Sequence, residues 1–219
     1  MFGHHRHAAG ADAPTRGRLI RWARFYDPFV AVATLGRAAR IREQTADLAA
    51  VRQGEAVLEV GCGTGELSQR ARARVGPTGR VCGIDPSAEM IAVAREKSAR
   101  AGLGIDYRVA TIEALPFPDG SFDVVLSSLM MHHLPDDLKA LGLAEVRRVL
   151  KPDGRLLVVD FKRGSGLLHR LALPMLIHHD MSHGVQDLTP VISAAGFTDV
   201  RTGDTRFRTL GFVSARAPS

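Results

Sequence analysis

Three glycines at alternate positions, Gly61, Gly63 and Gly65, end the apolar run Val57-Leu-Glu-Val and lead directly into a helical pattern from Glu66. Glycines there let the backbone turn sharply at a strand end and leave no Cβ to hold a ligand away. The helix behind them opens with unpaired N–H groups. The dinucleotide fingerprint is Gly-x-Gly-x-x-Gly. Here the third glycine comes one residue early, and Glu66 at the expected place would repel a pyrophosphate. A second apolar run, Arg80-Val-Cys-Gly-Ile-Asp85, ends in an acid 20 residues after Gly65. An acid at a strand tip can accept both hydroxyls of a ribose. The competing role for Asp85 is a helix N-cap, because Pro86 follows and a helix begins near Ser87.

Proton-transfer candidates lie further along. His132 and His133 follow the fourth apolar run, and Asp160 ends the fifth. His178, His179, Asp180 and His183 form a denser cluster. His179 and His183 share a helical face, but no third ligand is placed by spacing, so no metal site is expected. His179 is the member of this cluster retained as a proton-acceptor candidate.

These residues need a frame. Strands are expected at Ala56–Val60, 80–84, about 105–109, 122–127 and 155–160, with helices between them and turns at 76–79 and 151–154. The strands read as continuous apolar runs, as when helices cover both sheet faces. Such alternation argues for an open, mainly parallel α/β sheet. A helix over 189–195 is followed by two strands, 197–203 and 207–215, joined too tightly to be parallel. Upstream, the apolar spacing of Leu19, Trp22, Phe25, Tyr26, Phe29, Val32, Leu35 and Ile41 predicts a helical arm over 18–50, broken in two by Pro28. Residues 1–17 lack periodicity and are expected to be disordered. Residues 51–219 then form the main domain, with an insertion at 161–187.

Composition narrows the class. The chain has 219 residues, 45% of them hydrophobic, which suits a single globular domain. Cys62 and Cys82 offer neither a disulfide framework nor a zinc spacing, and a reducing cytoplasm is the expected location. No secretory segment or bilayer-spanning run is read. The net charge of +6 resides in residues 1–42, with eight arginines against Asp12 and Asp27. Such an arm suits either solvent or a peripheral membrane contact.

Four blocks in order carry a family resemblance: Val57-Leu-Glu-Val-Gly-Cys-Gly-Thr-Gly-Glu, Gly83-Ile-Asp-Pro-Ser-Ala-Glu-Met, Ala114-Leu-Pro-Phe-Pro-Asp-Gly-Ser-Phe-Asp and Val149-Leu-Lys-Pro-Asp-Gly-Arg. Residues 55–160 resemble the class I S-adenosylmethionine (SAM) methyltransferases, in particular methyltransferase type 11 and the UbiE-like quinone-biosynthesis enzymes. The resemblance implies a Rossmann-like α/β fold with a mainly parallel seven-stranded sheet and a C-terminal antiparallel hairpin. It implies that Glu59 and the loop Gly61, Cys62, Gly63 and Gly65 hold the methionine part of SAM. Asp85 beside Pro86 would bind the ribose, and Met90 would pack near the adenine. Thr111 and Ile112 would flank the adenine edge, and Ser127 would lie at the amino-acid end. Tyr26 resembles an aromatic residue that related enzymes fold over the site. Thr111 departs from the family pattern, which has an aspartate there to accept from the adenine amino group.

The expected reaction is methyl transfer from SAM to a small acceptor by in-line displacement. The apolar stretch 166–177 and the Trp22, Phe25, Phe29 arm suggest a lid over a hydrophobic acceptor (a quinol, a lipid or a natural product). The same residues would also serve a homodimer interface. The alternative is a SAM-binding regulatory or scaffolding protein that transfers no methyl group. A nicotinamide enzyme is disfavoured by Glu66 and the terminal hairpin. A nucleic-acid substrate is not expected, because Ser127-Ser-Leu-Met replaces the Asn-Pro-Pro-Tyr type motif of base methylases.

Overall fold

The computed structural model describes residues 11–17, 22–163 and 184–219. Its strands are β1 (Ala56–Val60), β2 (Arg80–Asp85), β3 (Asp106–Val109), β4 (Phe122–Ser128), β5 (Leu150–Phe161), β6 (Thr198–Asp204) and β7 (Leu210–Arg216). Its α-helices are α1 (Ala23–Ala33), α2 (Ala38–Leu48), α3 (Glu66–Val75), α4 (Ala88–Arg100), α5 (Asp136–Val149) and α6 (Leu188–Ala194). Single 3-10 turns cover Met131–His133 and Val185–Asp187.

The strands form one seven-stranded sheet in the order β3-β2-β1-β4-β5-β7-β6. Neighbours from β3 through β5 are parallel, and β7 runs antiparallel between β5 and β6. The expected mainly parallel sheet with a C-terminal antiparallel hairpin is therefore present. All five residues of β1 are buried. Side chains alternate between the two faces of a strand. Leu58 and Val60 join Ile84, Val125 and Val158 in one apolar layer, and Val57 joins Leu67, Val81 and Val124 in the other. Each fully buried Val or Leu side chain contributes about 1.5–3 kcal/mol, so the sheet can anchor a strained loop at its end. From β1 the chain winds outward to β2 and β3, then crosses back to β4 on the other side of β1. That reversal opens a crevice beyond the carboxyl ends of β1 and β4, where open α/β sheets bind ligands.

Three local expectations need correction. Pro28 lies inside α1 and does not divide the arm. The break falls at 34–37, where Leu35 takes a left-handed φ of 51°. There Gly36 N donates to the Ala31 carbonyl and Leu35 N to the Val32 carbonyl. This is a Schellman end, with the glycine one residue later than the usual place. Lys151–Gly154 is not a free turn but an irregularity within β5, whose pairing with β4 shifts register between Phe122 and Val124. Asp153, with a φ of 59°, absorbs the extra length. Residues 11–17, grouped with a disordered terminus, make defined contacts: Ala13 N donates to the Pro86 carbonyl at 2.9 Å, and Ala88 N to the Asp12 carboxylate at 2.9 Å.

Candidate functional site

The glycine loop is built by three different constraints. Gly61 has a φ of 69°, and a Cβ there would collide with the Met130 side chain. Gly63 N donates to Asp85 Oδ2 at 2.9 Å, tying the loop to the tip of β2. Gly65 is the left-handed N-cap of α3, and it leaves room for Tyr107 rather than for a ligand. Tyr107 donates to the Gly65 carbonyl at 3.2 Å. Gly83 on β2 serves the same ring, because a Cβ there would lie 2.8 Å from it.

Asp85 stands at the tip of β2 as expected. Ser87 N donates to its second oxygen at 2.9 Å. The N-cap of α4 is Ser87, whose hydroxyl accepts from Met90 N, so the capping alternative for Asp85 is excluded. Burial pushes the Asp85 carboxyl up to about 6 against the two backbone donors. Glu59 is fully enclosed beneath the loop and is pushed up to about 8 by burial, although Ser68 donates to it and Arg42 lies near. Both acids retain lone pairs for hydroxyl or ammonium donors.

Two adjoining pockets meet at this loop. One is lined by Glu59, Cys62, Gly63, Arg42 and Tyr26. The other is lined by Asp85, Pro86, Met90, Thr111, Ile112 and Glu113. Gly61, Gly63 and Tyr26 belong to both. Tyr26 reaches them from α1, which is latched by Asp27: Thr64 Oγ1 donates to Asp27 at 2.7 Å, and Lys97 pairs with it at 3.0 Å. Tyr26 Cε1 would lie 3.8 Å from a Cβ at Gly63, and burial raises its phenol above the ordinary range. α1 therefore sits on the glycine-loop side. Trp22, Phe25 and Phe29 line neither pocket, and Phe25 is 71% exposed; the stretch 166–177 that would complete the expected lid lies outside the described residues.

A third pocket, of about 360 Å³, lies beyond β4 and β5. Its lining sets Met131, Leu134, Phe161, Val185, Leu188 and Val191 beside the polar groups of His132, Asp160, Asp136, Lys139 and Asp187. His132 Nδ1 lies 2.6 Å from Asp160 Oδ1, and His132 N donates to Oδ2 at 3.1 Å. Phe161 N donates to Oδ1 at 2.8 Å. Burial alone would raise Asp160, but the imidazole and these donors outweigh it and hold the carboxyl below its ordinary range. The Met131–His133 turn is the partition. His132 lines this pocket, His133 lines the Asp85 pocket, and Leu134 lines both. The ring centroids of His132 and His133 are 4.0 Å apart.

Ser127 lines neither loop pocket, and its hydroxyl is buried with no partner among the described residues. Its side chain is buried in the sheet, and Ser128 and Leu129 line the loop pockets instead. In a strand, adjacent side chains face opposite ways, so an offset of one residue reverses the direction. Leu129, with a φ of 54°, and Met130 were also missed. Neither is a turn-forming residue type, so the sequence carries no signal for them. Glu113 was missed as well. Its Oε1 accepts from Thr15 at 2.9 Å, and its Oε2 is buried with no partner among the described residues. The cluster His178, His179, Asp180 and His183, and the stretch 166–177, lie outside the described residues. Among the described residues, no group of three or more His, Cys, Asp or Glu is arranged to hold a metal.

Residues 57–154 match the family described as a methyltransferase domain. Ubiquinone/menaquinone biosynthesis C-methyltransferase UbiE from Enterobacter sp. (strain 638) is 41% identical over 121 residues, covering 54% of this chain and 47% of the relative. The protein of the same name from Hahella chejuensis (strain KCTC 2396) is also 41% identical, over 54% of this chain and 48% of its own. The chain thus spans about half the length of these curated relatives. Among solved structures, a SAM-dependent methyltransferase from Aquifex aeolicus aligns with a TM-score of 0.68 at 23% identity, over 86% of this chain and 98% of the other. The [4+2]-cyclase SpnF aligns with a TM-score of 0.73 at 20% identity, over 95% and 99%. These likenesses define the fold. Residues 57–154 are thus similar to methyltransferase domains, whose class uses SAM as methyl donor, and the fold is that of solved SAM-dependent methyltransferases.

Over 121 residues the chain is similar to these two UbiE enzymes. The residues around the loop fit SAM. A buried carboxyl at 59, an acid at 85 with free lone pairs and an unpartnered buried oxygen at Glu113 suit a ligand with ammonium, hydroxyl and amino donors.

Proposed function

We propose that the protein transfers a methyl group from SAM to a hydrophobic small molecule bearing an acidic hydroxyl, with a quinol-type ring as the leading candidate. The observation that carries this reading is the His132–Asp160 pair in a pocket of mixed apolar and polar lining that meets the Asp85 pocket at Leu134. The similarity to enzymes named for ubiquinone and menaquinone biosynthesis supports the ring chemistry.

SAM supplies an already activated methyl group on a sulfonium. The protein's task is to align the acceptor and to manage its proton. Orientation of this kind can supply ~7–11 kcal/mol of barrier reduction. Asp160 fixes His132 with its proton on Nδ1, which leaves Nε2 as the basic nitrogen. Nε2 takes the proton of the acceptor hydroxyl, and Asp160 stabilises the imidazolium that results. Deprotonation activates the oxygen and, by resonance, an adjacent ring carbon, so one device serves O- or C-methylation. On the cofactor side, Asp85 takes the ribose hydroxyls, while Glu59 and the backbone at 61–63 face the methionine part. Thr111 is a poor acceptor, and Glu113 Oε2 takes the adenine amino group in its place.

The test is turnover. Purified protein is incubated with SAM and a panel of hydroquinones, phenols and polar amines, and the demethylated cofactor is quantified. Faster reaction with hydrophobic hydroxyl compounds supports the proposal. Faster reaction with polar amines overturns the acceptor class. Tight SAM binding without transfer to any compound would favour a regulatory role.

A further inference from the structure

Four of the five large hydrophobic side chains exposed among the described residues lie on one short stretch: Trp22 (41%), Phe25 (71%), Val32 (76%) and Leu35 (78%). The helix α1 is inside out. Its inward face carries Tyr26, Asp27, Val30 and Thr34, held by the Asp27 latch to Thr64 and Lys97. Its outward face carries Trp22, Phe25, Phe29 and Val32 at steps of three, four and three, which is one stripe of a helix. Trp22 and Phe29 stack edge to face, 5.1 Å between centroids, at the flank of that stripe. A contiguous exposed apolar stripe of this kind marks an interaction surface.

Charge selects the occupant. The sole acid between Trp22 and Arg42 is Asp27, and it faces inward. At the end of the stripe Arg37 and Arg40 are exposed. Arg70 and Arg74 are tied to Glu43 and Asp47, whereas Arg37 and Arg40 form no ion pair among the described residues. An apolar stripe followed in sequence by arginines with no ion pair among the described residues fits the boundary between anionic headgroups and acyl chains. We propose that the outer face of α1 docks the protein on an anionic lipid bilayer. The helix lies flat, with Phe25 and Val32 inserted and Arg37 and Arg40 on the headgroups. Because the opposite face of the same helix lines the loop pockets through Tyr26, docking sets the site beside the bilayer. The inference does not depend on the acceptor proposed above.

Vesicle flotation tests it with the full chain. Wild type should float with phosphatidylcholine vesicles containing phosphatidylglycerol, stay behind with phosphatidylcholine alone, and detach as salt is raised. Phe25→Ser with Val32→Ser should weaken binding about tenfold or more, with circular dichroism, melting and SAM affinity preserved. Arg37→Gln with Arg40→Gln should remove the preference for anionic vesicles. The proposal is overturned if wild type floats with neither vesicle, or if the serine variant binds as well as wild type. It is also overturned if sedimentation shows a dimer that the serine variant separates, since the stripe would then cover a second copy of this chain.

Discussion

Two sets of buried acids sit at the same end of the same sheet with opposite electrostatics. On the glycine-loop side, burial pushes Asp85 up to about 6 and Glu59 up to about 8. On the far side of β4, Asp160 is only 2% exposed, yet it is held below the ordinary carboxylate range. The difference is the partner. Asp160 has an imidazole at 2.6 Å and two backbone donors, so its charge is compensated within the protein. Asp85 has backbone donors alone, and Glu59 has a serine and a more distant arginine. One side is self-sufficient and suits proton transfer. The other gains most from a ligand that brings donors and positive charge.

If the two sides divide the work, damage should divide too. The largest effect is expected at His132. His132→Ala should lower kcat by ~10²–10⁴-fold, the usual contribution of a general base, while calorimetry finds the SAM Kd unchanged. Asp160→Asn should act in the same direction and shift the pH profile of kcat, because the imidazolium loses its counter-charge. A parallel loss of SAM affinity in either variant would erase the division. The converse experiment is Asp85→Asn. It removes charged acceptance of the ribose hydroxyls, each such bond contributing about 1.5–3 kcal/mol. Kd for SAM should rise ~10²-fold or more, with kcat at saturation little altered. An unchanged Kd would break the assignment of the loop side. A smaller change, a few-fold weaker SAM binding, is expected from Glu113→Gln, which keeps an acceptor oxygen but not its charge. Unaltered binding of adenosine by this variant would remove Glu113 from the adenine site.

The same division explains what the sequence disclosed. The loop side is made by backbone geometry, and geometry restricts residue type. Gly61 is forced by its φ and by Met130, and Asp85 by the donors that converge on it. Such constraints leave a spacing that can be read without a structure. The strands were legible for a related reason, since burial on both faces demands unbroken apolar runs. The proposed acceptor pocket is a surface of side chains drawn from Met131–His133, α5, β5, Val185–Asp187 and α6. Its lining comes from separate segments and mixes apolar with polar residues, so no spacing announces it. Its histidine pair was visible, but adjacency could not tell which ring faced which pocket. At the end of β4 the pockets take Ser128 rather than Ser127, and one residue is a change of face. The end of α1 was misread because Pro28 is a visible helix breaker, whereas a leucine in a left-handed turn gives no warning.

The finest test sets the two sides against each other by pH. A buried acid whose folded pKa is raised has no effect on stability below its unfolded value, near 4. As pH rises, the unfolded chain ionises first, so stability falls until the folded group ionises too. Asp85 therefore costs stability progressively between about pH 4 and 6, and Glu59 between about pH 4 and 8. Asp160 has the opposite sign. Its depressed pKa adds stability that is fully present above about pH 4 and is lost as acid protonates it. A ligand that donates to Asp85 prefers the ionised carboxyl. SAM affinity should fall about tenfold from pH 7 to pH 5 as Asp85 takes up its proton near 6. Over the range from pH 5 to 8, the melting temperature of the free protein should drift down from these two acids while SAM affinity climbs. Thermal melts and calorimetry on one set of buffers measure both slopes. Slopes of the same sign would mean that the loop-side acids do not meet the cofactor.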